Sequence, residues 1–339
     1  MKAEATVRSH PGGAMLTAAD YLAITPSAAR QQWLSISGRS QPSGGRRQVD
    51  FVPVETLTCL AASLVVDHRR YGGSTSHKAE EPVPRLAQLF KRPNSSVLAK
   101  MANLDGSRSN GARHEVEVAA RLLTDESELA DIYRLVFQAA RDVGITAAAL
   151  PDFLYLENDQ GPVTFLGQDE ITPSEIAGVV RHGLANTLDE LTEKMRTATI
   201  RVGQHRFARG VLRNHEHQCV FCGLAVAFEG RRTPRLLLAS HIKPWRDCDS
   251  RERLDIANGL TACPTHDVAF DTGLITITPD LRIQVRPDLE HAAATNPGVG
   301  AAFGRPPLAE HLRLPAGALP PQPSYLEWHR TRIYGGDSR

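Results

Sequence analysis

The chain has 339 residues with 39 Lys+Arg against 38 Asp+Glu, a formal net charge of +1, and 41% hydrophobic residues. That length supports two domains, each able to bury its own core. No run approaches 18 continuous apolar residues, so no membrane-spanning helix is expected. Five cysteines with no apolar leader suit a reducing, cytoplasmic setting and free thiols at Cys59 and Cys248.

Residues 1–15 are expected to be disordered. Gly38 to Gln48, rich in Gly, Ser and Arg, reads as a mobile basic loop, so 1–50 is expected to be a flexible N-terminal arm. Residues 51–190 read as a mainly α-helical domain. Val54 to Val66 has helical spacing. Leu86 to Phe90, the turn Lys91-Arg92-Pro93-Asn94 and Ser95 to Leu104 predict helix, turn and second helix, with Asn94 or Ser95 as cap. Val97, Leu98 and Met101 give the second helix an apolar face, and Ser96, Lys100 and Asn103 a polar one. The pair resembles a helix-turn-helix, which makes Arg92 and Lys100 candidate DNA contacts. Residues 115–145 predict one or two further helices with Leu122, Leu123, Ile132, Leu135, Val136 and Ala139 on a buried stripe. Phe153 to Leu166 reads as a β-hairpin, and Ser174 to Arg196 as helix and linker. The chain has no internal repeat and no glycine-rich phosphate cradle.

The C-terminal half carries the chemistry. Cys219-Val-Phe-Cys222 and Cys263-Pro-Thr-His266 repeat one two-residue gap and together form a Cys3His set suited to tetrahedral Zn²⁺. Without metal, the same segment would rest on the packing of Leu236, Leu237, Leu238 and Phe270. Between the half-sites, Leu236 to Ser240 predicts a strand ending at His241, with Pro244 and Trp245 turning the chain out. A neutral imidazole there can accept a proton from water near neutral pH. Asn258-Gly259 has the composition of a tight turn. Asp267 and Asp271 share a face if their segment is helical.

The order Cys-x-x-Cys, Ser240-His-Ile-Lys-Pro-Trp245, Asn258, Cys-x-x-His, Asp267 resembles the HNH (ββα-metal) endonucleases. It is similar in particular to the Ser-His-Ile-Lys-Pro-Trp group found in McrA-like, modification-dependent restriction nucleases. The likeness extends over roughly 195–335: Arg201 to Leu212 looks like the helix that leads into such modules, with Phe207 and Leu212 expected in the core, and Leu314-Pro315, Pro321 and Tyr325 to Arg330 resemble the tail. It implies an α+β chain: a helical recognition domain followed by a C-terminal ββα-metal module with a structural zinc at Cys219, Cys222, Cys263 and His266. It further implies that His241 activates the attacking water, that Asn258 holds the loop of that base, and that Asp267 is a ligand of a catalytic cation, with Asp271 a second acidic candidate. Carboxylates suit Mg²⁺ or Mn²⁺. Ser240 stands where related nucleases often carry aspartate, which weakens the ligand set. In the tail, Leu326 and Trp328 are expected to cover the module while His329 and Arg330 face water.

Eleven Lys/Arg oppose six Asp/Glu between residues 201 and 257, although the whole chain is nearly neutral. This concentration suits phosphate contacts, with Lys243, Arg246, Arg231 and Arg232 as candidates. The implied partner is double-stranded DNA, modified or of specific sequence, in a restriction or antiviral defence role. A homodimer is expected if both strands are cut. The competing readings are a non-catalytic zinc-containing DNA-binding protein and a structure-specific or RNA nuclease.

Overall fold

A computed structural model describes residues 16–40, 49–108, 113–157, 190–225, 227–228, 231–232, 236–249 and 251–335. The chain divides into two compact units, Met1–Pro151 and Asp152–Arg339. No helix among the described residues is long and apolar enough to cross a membrane. The expected hairpin after Phe153 and the start of the expected 174–196 helix lie largely outside the described residues.

The described part of the first unit is helical: α1 (Ala18–Leu22), α2 (Pro26–Ser37), α3 (Pro53–Ser63), α4 (Val83–Phe90), α5 (Asn94–Leu104), α6 (Arg113–Thr124) and α7 (Glu126–Asp142). Proline opens α2 and α3, where its missing N–H costs no intrahelical bond. The first two helices fall inside the span expected to be a flexible arm, and the structure corrects that boundary. Tyr21, Trp33 and Ile36 are fully buried, and Trp33 Nε1 donates to the Val136 carbonyl at 2.9 Å. Spacings of three and four residues put Ala29, Trp33 and Ile36 on one face of α2, which anchors it in the core.

Helices α4 and α5 form the expected pair. Lys91 ends α4 in the left-handed conformation at φ 57°, and Pro93 precedes α5. Asn94 is already helical, and its Nδ2 donates to the Ser76 carbonyl rather than capping α5. The two cations expected to meet DNA are corrected by the structure. Arg92 is buried and pairs with Glu55 at 2.8 Å, a carboxylate that also receives Arg39 at 2.6 Å. Lys100 is buried against Glu115 at 2.7 Å. Both sit over the Phe51 ring, at 3.9 and 4.6 Å from its centroid. A charge taken out of water must be paired, and α3, buried along its whole length, carries Glu55 inward to meet Arg92.

Among its described residues the second unit combines helices with three two-stranded antiparallel sheets. Helix α8 (Glu190–Asn214) leads in. Strand β1 (Ala227–Phe228) pairs with β2 (Arg231–Arg232), β3 (Leu238–His241) with β4 (Gly259–Ala262), and β5 (Ile275–Ile277) with β6 (Ile283–Val285). Helix α9 (Pro264–Asp271) follows β4 directly, and α10 (Pro287–Thr295), α11 (Pro297–Phe303) and α12 (Pro323–His329) complete the unit. The core gathers Phe221, Leu237, Leu260, Ala262, Phe270 and Ile275 around the β3–β4 pair and α9. Leu236, by contrast, is 42% exposed.

Candidate metal centre and active site

The Cys219–Cys222 turn is built by its backbone. Gly223 N donates to Cys219 O at 2.7 Å and Cys219 N to Leu224 O at 2.9 Å, with Gly223 at φ 77°, a conformation costly for other residues. Val220 N donates to Thr261 O on β4, while Arg313 N and Ala309 N donate to the carbonyls of Val220 and Phe221. The turn is thereby held between β4 and the chain near residue 310. Cys263 precedes α9 and His266 lies in its first turn.

The ligand atoms of Cys219, Cys222, Cys263 and His266 all lie within 4.8 Å of one another. His266 Nδ1 is 3.1 Å from Cys263 Sγ and 3.8 Å from Cys219 Sγ. A tetrahedral zinc with bonds of about 2.0–2.3 Å needs ligand separations of about 3.5–3.8 Å, so the donor set fits. His266 Nε2 lies 3.2 Å from Ala302 O. Donation there leaves the Nδ1 lone pair for a cation, the outer bond that commonly orients a metal-binding histidine. Burial opposes charge on this imidazole, yet the neighbouring Cys222 and Cys263 sulfurs push it up to about 10.

Strand alternation sorts the next residues. Ala239 packs with Phe207, Ala208 and Val211 of α8, and His241, two residues on, stacks on Phe207 with ring centroids 3.8 Å apart and planes 6° apart. Ser240 points the other way and its Oγ donates to Asp271 Oδ1 of α9 at 3.3 Å. His241 and Ser240 are consecutive at the strand end, so their Cα atoms are about 3.8 Å apart. The His241 ring is buried, with Nε2 3.3 Å from Arg253 O. Donation to that carbonyl places the basic lone pair on Nδ1.

Asn258 is fully buried and binds the loop after His241 along its length. Its Oδ1 accepts from Lys243 N at 2.9 Å, and its Nδ2 lies within 3.3 Å of Lys243 O, Glu252 O and Cys248 Sγ. Ile242 N donates to Asn258 O. The tight-turn reading of Asn258-Gly259 is replaced: Gly259 is extended at φ −126° and pairs with His241 across the sheet. Glycine is needed there for closeness, since a Cβ would meet Val211 at 2.2 Å and Phe207 at 2.8 Å.

Asp267 is buried in the first turn of α9, whereas Asp271 at its end is exposed. Lys243 is not an unengaged phosphate contact. Its Nζ bonds both Glu252 oxygens at 2.8 and 2.7 Å, and that partner raises its pKa. Arg246 keeps 71% of its side chain exposed beside Asp247. Arg231 and Arg232 form β2, with side chains outside the described set.

Several supporting groups carry no motif. Arg253, besides its carbonyl, lies 4.0 Å over the Trp245 ring and donates Nε to Trp245 O. Cys248, read as a loop thiol, is buried and donates to Lys243 O at 3.1 Å. Asp255 Oδ2 receives Gln322 Nε2 and Tyr325 OH, which ties the C-terminal tail to the strand-connecting loop. Nothing in their spacing marks these partners, because each bond joins residues brought together only by folding. His329 also departs from expectation: it is buried, stacked on Phe270 at 3.7 Å, and bonded to Phe270 O and Thr276 Oγ1 at 2.9 Å each. Burial pushes its imidazole down to about 4.

Residues 219–278 match the family model described as HNH endonuclease. The match supports the HNH family for this segment and implies a nuclease, a hydrolase acting on nucleic acid. It spans the four Cys/His donors, β3, β4 and α9. No curated protein matches the chain.

Proposed function

We propose that this chain is a divalent-cation-dependent endonuclease that hydrolyses phosphodiesters of double-stranded DNA. In this reading it is a restriction or defence enzyme of the McrA-like, modification-dependent kind, and its N-terminal unit recognises modified or specific DNA. The observation that carries the reading is the arrangement at the end of β3. An imidazole fixed by a ring stack and a backbone carbonyl follows a serine bonded to an aspartate of α9, within a segment that matches the HNH model.

His241 acts as the general base, taking a proton from water at Nδ1. Asn258 is a positioning residue that fixes the loop carrying Lys243 and Glu252. Asp267 and Asp271, the latter bonded to Ser240, would hold Mg²⁺ or Mn²⁺, hard cations suited to oxygen donors. When bound, such a cation offsets charge on the scissile phosphate and the leaving 3′-oxygen. Zinc at Cys219, Cys222, Cys263 and His266 is structural, fastening α9 to the Cys219 turn and so setting where the aspartates lie. Arg246, with Arg231 and Arg232, supplies phosphate contacts that are independent of sequence. Cutting both strands calls for two such centres, hence a homodimer on the duplex.

Cleavage of unmodified, methylated, hydroxymethylated and phosphorothioated plasmid, in Mg²⁺ and Mn²⁺ separately, tests the reading. Wild type should cut, and His241→Ala should lose about 10²-fold or more, the usual worth of a general base. Equal cutting by both proteins removes the role of His241. Salt-sensitive binding with no cutting supports a zinc-containing DNA-binding protein instead.

A further inference from the structure

The first unit contains a cleft of about 390 Å³ between α5 and the chain from His68 to Ser76, within the range of ligand sites, about 300–1,000 Å³. Arg69 and Arg108 line it, with Ser76, Ser95 and Ser107, and no Asp or Glu among the described residues does. Behind the wall, fully buried Asp105 accepts from Arg69 Nε and Nη2 at 3.0 and 2.8 Å, and is 3.0 Å from His68 Nε2. That carboxylate fixes Arg69 in place while 43% of the arginine side chain stays exposed. The lining is completed by Leu98, Ala99 and Ala102 of α5 and by Tyr71. Gly72 and Gly73 also border the cleft. A Cβ at Gly72 would meet no atom within 4 Å, so packing does not explain its missing side chain, whereas Gly73 needs glycine for its φ of 49°.

A fixed cation, hydroxyls and an apolar stretch of small side chains on α5 match the two halves of a nucleotide, an anionic phosphate and a planar base. We infer that this cleft binds a single nucleotide, its phosphate at Arg69, Arg108 and the serine hydroxyls and its base against Ala99, Ala102 and Tyr71. The inference deepens the proposal that the N-terminal unit contacts nucleic acid. It also relocates that contact from Arg92 and Lys100, which are buried, to the small-residue face of α5. A nucleotide within a strand would have to leave its stack to enter, whereas a free nucleotide would not, and the two sources are separable.

The test uses full-length His241→Ala protein, so that nucleic acid survives. Calorimetry with dAMP, dCMP, dGMP and dTMP probes the free nucleotide. Fluorescence of 2-aminopurine within single- and double-stranded oligonucleotides probes a nucleotide drawn from the strand. Arg108→Ser removes an exposed cation, and Ala99→Phe fills the small-residue stretch without touching charge. Either variant should weaken binding about tenfold, the effect of losing one charge-assisted bond or the space for the base. Loss in the calorimetric arm supports a free-nucleotide site, and loss of 2-aminopurine enhancement supports capture from nucleic acid. Absence of mononucleotide binding, together with oligonucleotide affinity and fluorescence unchanged in both variants, overturns the inference. Plasmid cutting by the chain with His241 intact reports on the nuclease reading separately.

Discussion

Replacing Gly259 by alanine probes the packing that presents His241. The backbone there is extended (φ −126°, ψ 147°), so alanine meets no dihedral penalty and the whole effect is steric. The new Cβ would lie 2.2 Å from Val211 Cγ2 and 2.8 Å from Phe207 Cζ, against a comfortable carbon separation of about 3.5–4.0 Å. Helix α8 must therefore retreat from β4 by more than about 1 Å, or two buried side chains must leave their rotamers. Overpacking of this kind costs about 1–3 kcal/mol. In a unit of this size about 2 kcal/mol lowers Tm by roughly 4–8 °C. Phe207 is also the ring under His241, so its displacement moves the imidazole and should slow cleavage about tenfold or more. Calorimetric melts and single-turnover plasmid cutting measure the two effects. Val211→Ala removes the nearest clashing atom, so the double variant should lose about 1 kcal/mol less than the sum of the singles. Additive losses, or an unchanged Tm in Gly259→Ala, would refute the claim that close approach of α8 requires glycine.

Three further outcomes are expected. Elemental analysis should find about one zinc per chain, and chelation or Cys263→Ser should unfold the region around α9; metal-free protein with unchanged circular dichroism and Tm would count against a structural ion. Asn258→Ala should cost about 3–5 kcal/mol, because it strands the Lys243 amide and two carbonyls at about 1–3 kcal/mol each; protection of the Lys243 amide in hydrogen exchange should vanish, and retained protection would refute the role. Burial holds His215 and His329 down at about 4 from the usual 6.5, so as pH falls the unfolded chain takes up their protons first. That part of the stability is complete above about pH 6.5 and declines towards pH 4, by at most about 3 kcal/mol per histidine; urea unfolding with equal midpoints at pH 7 and pH 5 would exclude it.

Local order alone specified much of this protein. The repeated two-residue gap named the four Cys/His donors, because each pair must reach one ion from a single turn. Helical spacing located α3, α5 and α7, and the resemblance to HNH modules pointed to Phe207 and Leu212 as interior residues. Residue type did not specify partners distant along the chain. Arg92 and Lys100 read as solvent-facing cations until Glu55 and Glu115, 37 and 15 residues away, met them inside the first unit. Lys243 was legible as a basic side chain, not as one claimed by Glu252. Gly259 looked like a turn glycine, yet its constraint comes from Val211, on a helix that ends before the Cys219 turn begins. The tautomer of His241 hangs on the carbonyl of Arg253, a group common to every residue and therefore without a sequence signature. Chemistry carried by a side chain can be read in order along the chain; burial, spacing and pairing exist only once distant segments are packed, and here they determine which charges remain exposed.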